Sequence, residues 1–262
     1  MVSVVIRNKN EAQVLESTLK ILREVYADDI DEIIVVDNKS TDQSISVANN
    51  YNCKIITIEN FTYGKAINLG IENAKNDLVL LLSSHAIPVG KSFFINSIKE
   101  FIPNSKLAGI RYINSYSNYV RASKNNFFVE DGLNFGLMAA CAMVNKKIWI
   151  DYKFDEKLVF SEDKEWSERV LNAGYQIKDF NETFFYSVER NEKNNLHRWK
   201  NETIAHYQLH QLEYSSLLKI VAVFAKKIGL DIPKNCVKNV IKEIKLLFIK
   251  LEIRNILEKK QT

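Results

Sequence analysis

Residues 32–44 read EIIVVDNKSTDQS: four β-branched residues, Ile33 to Val36, closed by Asp37 and a polar loop. A run that is apolar throughout, not alternating, reads as a strand covered on both faces, the pattern of a parallel sheet between helical layers. The same pattern precedes it at Val2–Arg7 (VSVVIR), followed by an amphipathic stretch, Glu11–Val25, with Val14, Leu15, Leu19 and Leu22 on one side. Downstream, Asp42–Asn49 suits a short helix, Cys53–Ile58 a third strand and Gly64–Ala74 a helix. Leu78–Ser83 (LVLLLS) is a fourth strand, Lys91–Phe101 the helix after Pro88, and Leu107–Ile113 closes the series. Strands alternating with helices predict βαβ units with right-handed crossovers, an α/β fold. Ligands of such sheets bind beyond the carboxyl ends of strands. That rule singles out Arg7–Glu11, Asp37–Asp42 and Ser83–Pro88.

From about Asn114 the alternation stops. Ser115–Asn126 is polar and aromatic and reads as a loop; Phe135–Val144 is small and apolar. Glu162–Ala173 has a helical pattern ending at Gly174, and Asn191–Lys200 reads as a charged, mobile segment. Thr203 onward reads as helices, with Val237, Val240, Ile241, Ile244, Leu247, Phe248 and Leu251 in one apolar stripe. The organisation expected is a domain over 1–202, in halves of about 1–113 and 114–202, followed by a helical extension over 203–262.

At 262 residues and 46% apolar, the chain is long enough for a sizeable core and too apolar for a disordered or fibrous class. Its net charge of +4 is uneven: residues 219–262 hold eleven basic against four acidic residues, so the remainder is slightly acidic. Three widely spaced cysteines, Cys53, Cys141 and Cys236, form no CxxC pair, which argues against a disulfide framework or a thiolate zinc site. The longest nearly apolar stretch, Leu217 to Ala225, is interrupted by Lys219 and too short for a membrane span. A strand-like run starting at Val2 leaves no room for a signal peptide, so the expected compartment is the cytoplasm.

Asp37 stands where a carboxylate can accept hydrogen bonds from a base or ribose. Helix capping by the loop Ser40-Thr41-Asp42 explains the same residues equally well. No GxGxxG follows the first strand and no Walker-type loop is present.

Four segments taken in order, VSVVIRNKNEA (2–12), EIIVVDNKSTDQS (32–44), FTYGKAINLGIENAKNDLVLLLSSHAIP (61–88) and FSEDKEWSERVLNAGY (160–175), resemble the motifs of family 2 glycosyltransferases. The resemblance covers roughly residues 1–190. It implies the GT-A fold, a Rossmann-like and mostly parallel sheet with flanking helices, and a nucleotide-sugar donor. It also implies that Asp37 and the loop holding Arg7, Asn10 and Glu11 meet the nucleobase and ribose, with Ser40 and Asp42 shaping that pocket. Lys65 and Asn68 lie in the segment similar to the family's Gly-x-Ala-x-Asn stretch, facing the donor. Lys65 suits a diphosphate oxygen as a point charge, or is a solvated lysine at a helix start.

The chain departs from the family at the metal motif. Where Asp-x-Asp is usual it reads Ser83-Ser84-His85, ahead of the usual small-x-Pro (Ala86, Ile87, Pro88). Ser83 takes the place of the first aspartate and His85 that of the second, the usual metal contact. Imidazole suits Mn²⁺-like or softer ions better than Mg²⁺. Three readings of His85 stay open: a metal ligand beside the diphosphate, a direct partner of the diphosphate, or an inert residue. The implied cofactor, Mn²⁺ or Mg²⁺, is therefore left undecided. Without a metal, Arg7, Lys65, Arg190, His197 or Arg198 would have to offset the leaving diphosphate.

Glu162-Asp163 resembles the family's Glu-Asp pair, in which the aspartate is the general base of an inverting displacement. Acidic residues in the first turn of a helix also favourably meet its dipole, and Ser161 suits an N-cap. Trp166 and Arg169, three and six positions on, share about one helical face and are the candidate acceptor contacts, with core packing the competing role for Trp166. Asn134–Cys141 resembles the small-residue segment between donor and acceptor sites. His206 and His210 are spaced i, i+4 but lack the glutamate of HExxH. The Gln-x-x-Arg-Trp motif of processive synthases is unmatched, which favours single-sugar transfer.

The reading that results is an inverting transferase adding one sugar to a glycan or lipid-linked acceptor, in capsule or lipopolysaccharide synthesis by resemblance alone. The alternatives are a nucleotide-sugar-binding module that has lost catalysis, or another nucleotide-dependent transferase. The basic tail fits either the inner face of a membrane or a homodimer through 203–262. No nucleic-acid-binding motif appears.

Overall fold

The computed structural model describes residues 1–186, 188 and 192–258. These form two compact units, Met1–Gln211 and Leu212–Thr262, so the expected boundary at 202/203 falls inside a helix of the first.

The first unit opens with β1 (Val2–Asn8), α1 (Ala12–Val25), β2 (Ile30–Asp37), α2 (Ser44–Asn50), β3 (Lys54–Thr57), α3 (Tyr63–Glu72) and β4 (Leu78–Ser83), as the alternation predicts. There follow β5 (Ala86–Val89), α4 (Phe93–Phe101), β6 (Leu107–Tyr112), α5 (Tyr116–Lys124), α6 (Gly132–Phe135), β7 (Cys141–Asn145) and α7 (Lys146–Trp149). The unit ends with α8 (Glu162–Asn172), β8 (Gln176–Phe180), β9 (Thr183–Tyr186) and α9 (Glu192–Leu209). The main sheet runs β3-β2-β1-β4-β7-β6-β8; β1 to β4 are mutually parallel, β7 is antiparallel to both neighbours, and β8 is parallel to β6.

Successive strand residues serve opposite faces. Val4 and Ile6 pack with Leu15, Leu19 and Leu22 of α1 on one side. Val5, Ile34 and Val36 pack with Ala66, Ile67 and Ile71 of α3 on the other. Each of these aliphatic side chains is essentially excluded from solvent, and full burial of one contributes about 1.5–3 kcal/mol. The second face needs α3 very close to β1: a Cβ on Gly70 would lie 2.2 Å from Val5 Cγ1. The glycine thus allows α3 to settle on the sheet.

Several expectations are corrected. Ser115–Asn126 is not a loop: α5 forms there, with the Ser115 hydroxyl accepting the Asn118 amide and Ala122 buried. One buried residue in nine leaves little apolar periodicity to detect. The segment expected to be mobile carries α9 from Glu192 onward; Asn191, and with it Arg190, lies outside the described residues. A two-stranded ribbon, β5 with β9, was also not anticipated.

In the second unit, α10 (Leu217–Lys226) and α11 (Ile232–Glu258) flank a π-helical turn over Lys227–Asp231. The Ile232 amide there bonds the Lys227 carbonyl, five residues back. Pro233 follows, and a wider turn accommodates a residue with no amide hydrogen and a bulky ring. Leu217, Val221 and Phe224 of α10, and Val237, Val240, Ile241, Ile244, Leu247 and Phe248 of α11, are exposed. The side chain of Leu251 lies outside the described residues.

Candidate active site

Strand register builds the site. Asn8 pairs with Asp37 and Arg7 with Ser83, so the carboxyl ends of β2, β1 and β4 present these residues in a row. Because β7 runs the other way, the residues before its start arrive at the same edge, and the Ser83 amide bonds the Ala140 carbonyl at 2.8 Å. The strands β6 and β8 run parallel to β4, adding Arg111 and Asp179.

At one end lies Asp37, 1% exposed. Its Oδ2 accepts the Ser40 amide at 2.8 Å; Oδ1 accepts the Ser40 hydroxyl at 2.6 Å and Asn8 Nδ2 at 3.1 Å. The Asn10 amide donates to Ser40 Oγ at 2.8 Å, and Asn10 Oδ1 accepts the Thr41 amide at 2.7 Å. Asp42 accepts the Ala12 amide at 2.9 Å and the Ser44 amide at 3.0 Å, which ties the starts of α1 and α2 together. Burial pushes the Asp42 carboxyl up, but hydrogen bonds from Ser44 and from the Ala12 amide outweigh it and hold it below the usual range. Asn10, Ser40 and Asp42 therefore lock two loops around Asp37. Among the described residues, Asn8 Oδ1 is buried beside them with no partner.

The two residues from α3 behave differently. Lys65 Nζ donates to the Glu59 carbonyl at 2.9 Å and its backbone amide is capped by Thr62. Asn68 is 4% exposed and its amide is fully used. Oδ1 accepts Trp149 Nε1 and the Phe154 amide, both at 3.0 Å, while Nδ2 donates to the Phe154 carbonyl and Glu156. Asn68 thus organises residues 149–156 and presents nothing to a donor, contrary to the expectation from the motif.

At the end of β4 the turn Ser83-Ser84-His85 is pinned by Thr18 Oγ1, which donates to the Ser84 carbonyl at 2.7 Å, and by the His85 amide donating to Ser83 Oγ at 3.3 Å. The turn contains no carboxylate, but Glu11 Oε1 stands 3.2 Å from His85 Nε2. Histidine nitrogen plus one carboxylate oxygen is a donor set that fits an Mn²⁺-like ion. No group of three or more His, Cys, Asp or Glu that could hold a metal occurs among the described residues.

Arg7 does not point freely at a donor. It donates to the Ala139 carbonyl at 2.8 Å, lies 3.5 Å from Glu162 Oε1, and its guanidinium sits 5.4 Å from the centre of the Tyr63 ring. Its role is to tie β1 to the acidic start of α8.

That start is unusual. Ser161 takes a left-handed conformation (φ 64°) and provides no side-chain cap; Glu162, Asp163 and Glu165 meet the helix dipole instead. The Ala139 amide donates to Asp163 Oδ2 at 2.8 Å, and no described residue donates to Oδ1. Glu162 is 5% exposed. Burial first, then the Asp163 charge, push its carboxyl up to about 7 against the opposing pull of Arg7. Lys164 bonds the Gly136 and Leu137 carbonyls at 2.7 and 2.9 Å, burial drawing its ammonium pKa down against the Asp163 carboxylate. The small-residue segment thus positions the pair through its backbone. It can do so because α6 lies almost on α8: a Cβ on Gly132 would come within 2.4 Å of the Glu168 amide nitrogen.

Both candidate acceptor residues are engaged by groups of the protein itself. Trp166 is fully buried, stacked 5.0 Å from Phe154, with its indole N–H on the Tyr152 carbonyl. Arg169 is engaged by Glu165 and the Lys153 carbonyl. What the sequence reading missed is the buried group beyond Asp163. Arg111 and Arg121 both donate to Asp179 Oδ1, at 2.9 and 2.6 Å, and Arg121 lies 4.7 Å from the centre of the Phe135 ring. The sequence signal for it was one arginine in the otherwise apolar stretch Leu107–Tyr112; Gln176–Phe180, which also carries Gln and Lys, gives none. His197 meets Asn201, Arg198 pairs with Glu202, and the His206 and His210 rings lie 4.5 Å apart.

Comparisons with known proteins bear on the family and the fold. The family model described as Glycosyl transferase family 2 matches residues 3–151. A curated relative from Methanococcus voltae, a dolichyl N-acetyl-alpha-D-glucosaminyl phosphate 3-beta-D-2,3-diacetamido-2,3-dideoxy-beta-D-glucuronosyltransferase, is 24% identical over 204 residues, 67% of this chain. The match spans 63% of that relative's length. Among solved structures, the mannosyltransferase PcManGT of Pyrobaculum calidifontis, in complex with GDP-Man and Mn²⁺, superposes with a TM-score of 0.62 at 16% identity, over 82% of this chain and 65% of that one. Glucosyl-3-phosphoglycerate synthase of Mycobacterium tuberculosis, with Mn²⁺, UDP and phosphoglyceric acid, gives 0.62 at 14% identity, over 82% and 80%. These likenesses show the GT-A fold.

Proposed function

The chain belongs to glycosyl transferase family 2, and on that premise we propose that it moves a single sugar from a nucleotide-sugar donor to a hydroxyl of a glycan or lipid-linked acceptor, with inversion at the anomeric carbon. The observation that carries the reading is the asymmetric carboxylate of Asp163: one oxygen is anchored by the Ala139 amide, and the other accepts no hydrogen bond from a described residue. Such a group can hold its orientation and still take a proton.

In this mechanism Asp163 Oδ1 removes the proton of the acceptor hydroxyl as that oxygen bonds to the anomeric carbon. The bond from that carbon to the diphosphate oxygen breaks on the opposite face, and the electron pair leaves with the nucleoside diphosphate. One displacement inverts the centre and needs no covalent intermediate. Asp37, held by Ser40 and Asn8, offers the nucleoside end an oriented carboxylate. Glu162, its carboxyl raised to about 7, holds a proton below that pH and so lessens the negative charge beside Asp163 there. A divalent cation, when bound, would offset charge on the leaving diphosphate.

The second unit supports contact with an anionic lipid surface. Over residues 217–250 its exposed apolar residues are accompanied by eight lysines and only two acidic residues, the composition of a helix lying in a charged interface. No helix among the described residues is long and apolar enough to cross a membrane. Cosedimentation with anionic but not zwitterionic vesicles is the expected result. A lipid-independent dimer in sedimentation equilibrium would assign this face to a second copy instead.

A thermal-shift panel of nucleoside diphosphates and their sugars tests the main reading. One base is expected to stabilise the protein, by about 2.7 kcal/mol at a hundredfold excess over its Kd, and its sugar nucleotide to be consumed in a transfer or hydrolysis assay. Binding without turnover would favour a nucleotide-sugar-binding module; no stabilisation by any of them would sink the reading.

A further inference from the structure

The turn after β4 lacks carboxylates, yet one stands beside it, supplied by a different segment. Glu11 immediately precedes α1, and its Oε1 lies 3.2 Å from Nε2 of His85. In an octahedral site with bonds of roughly 2.1–2.2 Å, adjacent ligands are about 3.0–3.1 Å apart. The two atoms are thus separated as two adjacent ligands of one ion would be, with no backbone movement required.

Both backbones are held. The Glu11 amide donates to Ser44 Oγ at 3.3 Å and the next amide, of Ala12, to Asp42. The other side of the pair is held by the Thr18 to Ser84 bond and by β5, which begins one residue after His85. The side chains remain reachable, 37% exposed for Glu11 and 15% for His85. They stand at the carboxyl edge of β1 and β4, where the donor reading puts the diphosphate.

We propose that Glu11 and His85 form a split divalent-cation site, the carboxylate lost from the β4 turn being replaced from the β1–α1 loop. The inference deepens the nucleotide-sugar reading and rests on it. Two protein ligands leave about four positions of an octahedral ion for diphosphate oxygens and water. Cation and nucleoside diphosphate therefore bind cooperatively, each raising the affinity of the other by the same factor. The nitrogen ligand favours Mn²⁺ over Mg²⁺.

The test is a titration of Mn²⁺, its free ion followed by electron paramagnetic resonance, on the full chain with UDP, GDP, CDP or dTDP. Calorimetry of the same nucleotides in EDTA runs beside it. Glu11→Gln is expected to weaken Mn²⁺ binding in the ternary complex at least tenfold, and to weaken nucleotide binding by a smaller factor in EDTA than in Mn²⁺. His85→Asp is expected to move the preference toward Mg²⁺. Circular dichroism melting of both variants near the wild-type temperature shows that the fold is intact, and a fall confined to Glu11→Gln leaves His85→Asp to decide. Nucleotide binding indifferent to Mn²⁺, or Mn²⁺ affinity unchanged in Glu11→Gln, overturns the split site and leaves the donor reading standing. A larger loss in EDTA than in Mn²⁺ also overturns it, making the pair a metal-free clamp on phosphate. If none of the nucleotides binds with or without Mn²⁺, the donor reading fails and the cation site with it.

Discussion

Ala139 and Asp163 are joined by a 2.8 Å hydrogen bond from amide to carboxylate, and the carbonyl of the same Ala139 receives the guanidinium of Arg7 at 2.8 Å. One peptide segment between α6 and β7 thus fixes the start of α8 against the end of β1. The general-base candidate is positioned by backbone, so its geometry does not depend on the identity of a neighbouring side chain.

Asp163→Asn should lower turnover by about 10²–10⁴-fold, the range lost with a general base. The Ala139 anchor survives, because the amide oxygen of asparagine still accepts it. Nucleoside diphosphate affinity, measured by calorimetry, should stay within about twofold. Full turnover in this variant would place the base elsewhere.

Glu162 carries a pH signature. Its carboxyl is raised from 4.5 to about 7 in the folded protein, so the folded state holds a proton that the unfolded chain releases. The sign follows: its contribution is most favourable below about pH 4.5 and is lost as pH rises toward 7. Glu162→Gln keeps an acceptor for Arg7 without the buried charge. Its urea midpoint relative to wild type should therefore climb between pH 5 and pH 8; a constant difference across that window would contradict the raised value.

Asn68→Ala should destabilise without acting on the donor. The substitution strands the Trp149 indole and the Phe154 amide and carbonyl in a buried region, a loss of roughly 2–4 kcal/mol. Urea denaturation reads that loss, while nucleotide affinity of the folded fraction should be unchanged. A tenfold weaker nucleotide with normal stability would restore Asn68 to the donor site.

Asp179→Asn keeps an amide oxygen but removes the negative charge shared by Arg111 and Arg121. Breaking a buried ion pair from one side costs about 3–5 kcal/mol. Burial already draws the Arg111 pKa down against the attraction of Asp179, so the guanidinium is left in an environment that disfavours its charge. Thermal unfolding should show a marked fall; an unchanged melting temperature would mean that solvent reaches the group.

The sheet was legible wherever apolar residues ran unbroken, as in Glu32–Asp37, because burial on both faces imposes composition directly. Strand direction was not legible: nothing in Cys141–Asn145 distinguishes an antiparallel insertion from a parallel strand, since either backbone pairing accepts the same side chains. The helix over Tyr116–Lys124 was missed because it buries so little.

The site divides along the same line. Sequence by itself determined the α/β alternation, the carboxylates Asp37 and Asp163 at their motif positions, and the loss of charge at Ser83 and His85, all properties of residue type and local spacing. Tertiary structure alone decided which of these groups are available. It turned Asn68 and Trp166 inward, engaged Arg169 with Glu165, tied Arg7 to Glu162, and brought Glu11 to His85 across 74 positions of chain. The reason is physical: a side chain's partners are set by which strands and helices become neighbours, and that is fixed by packing of the whole sheet and its two helical layers.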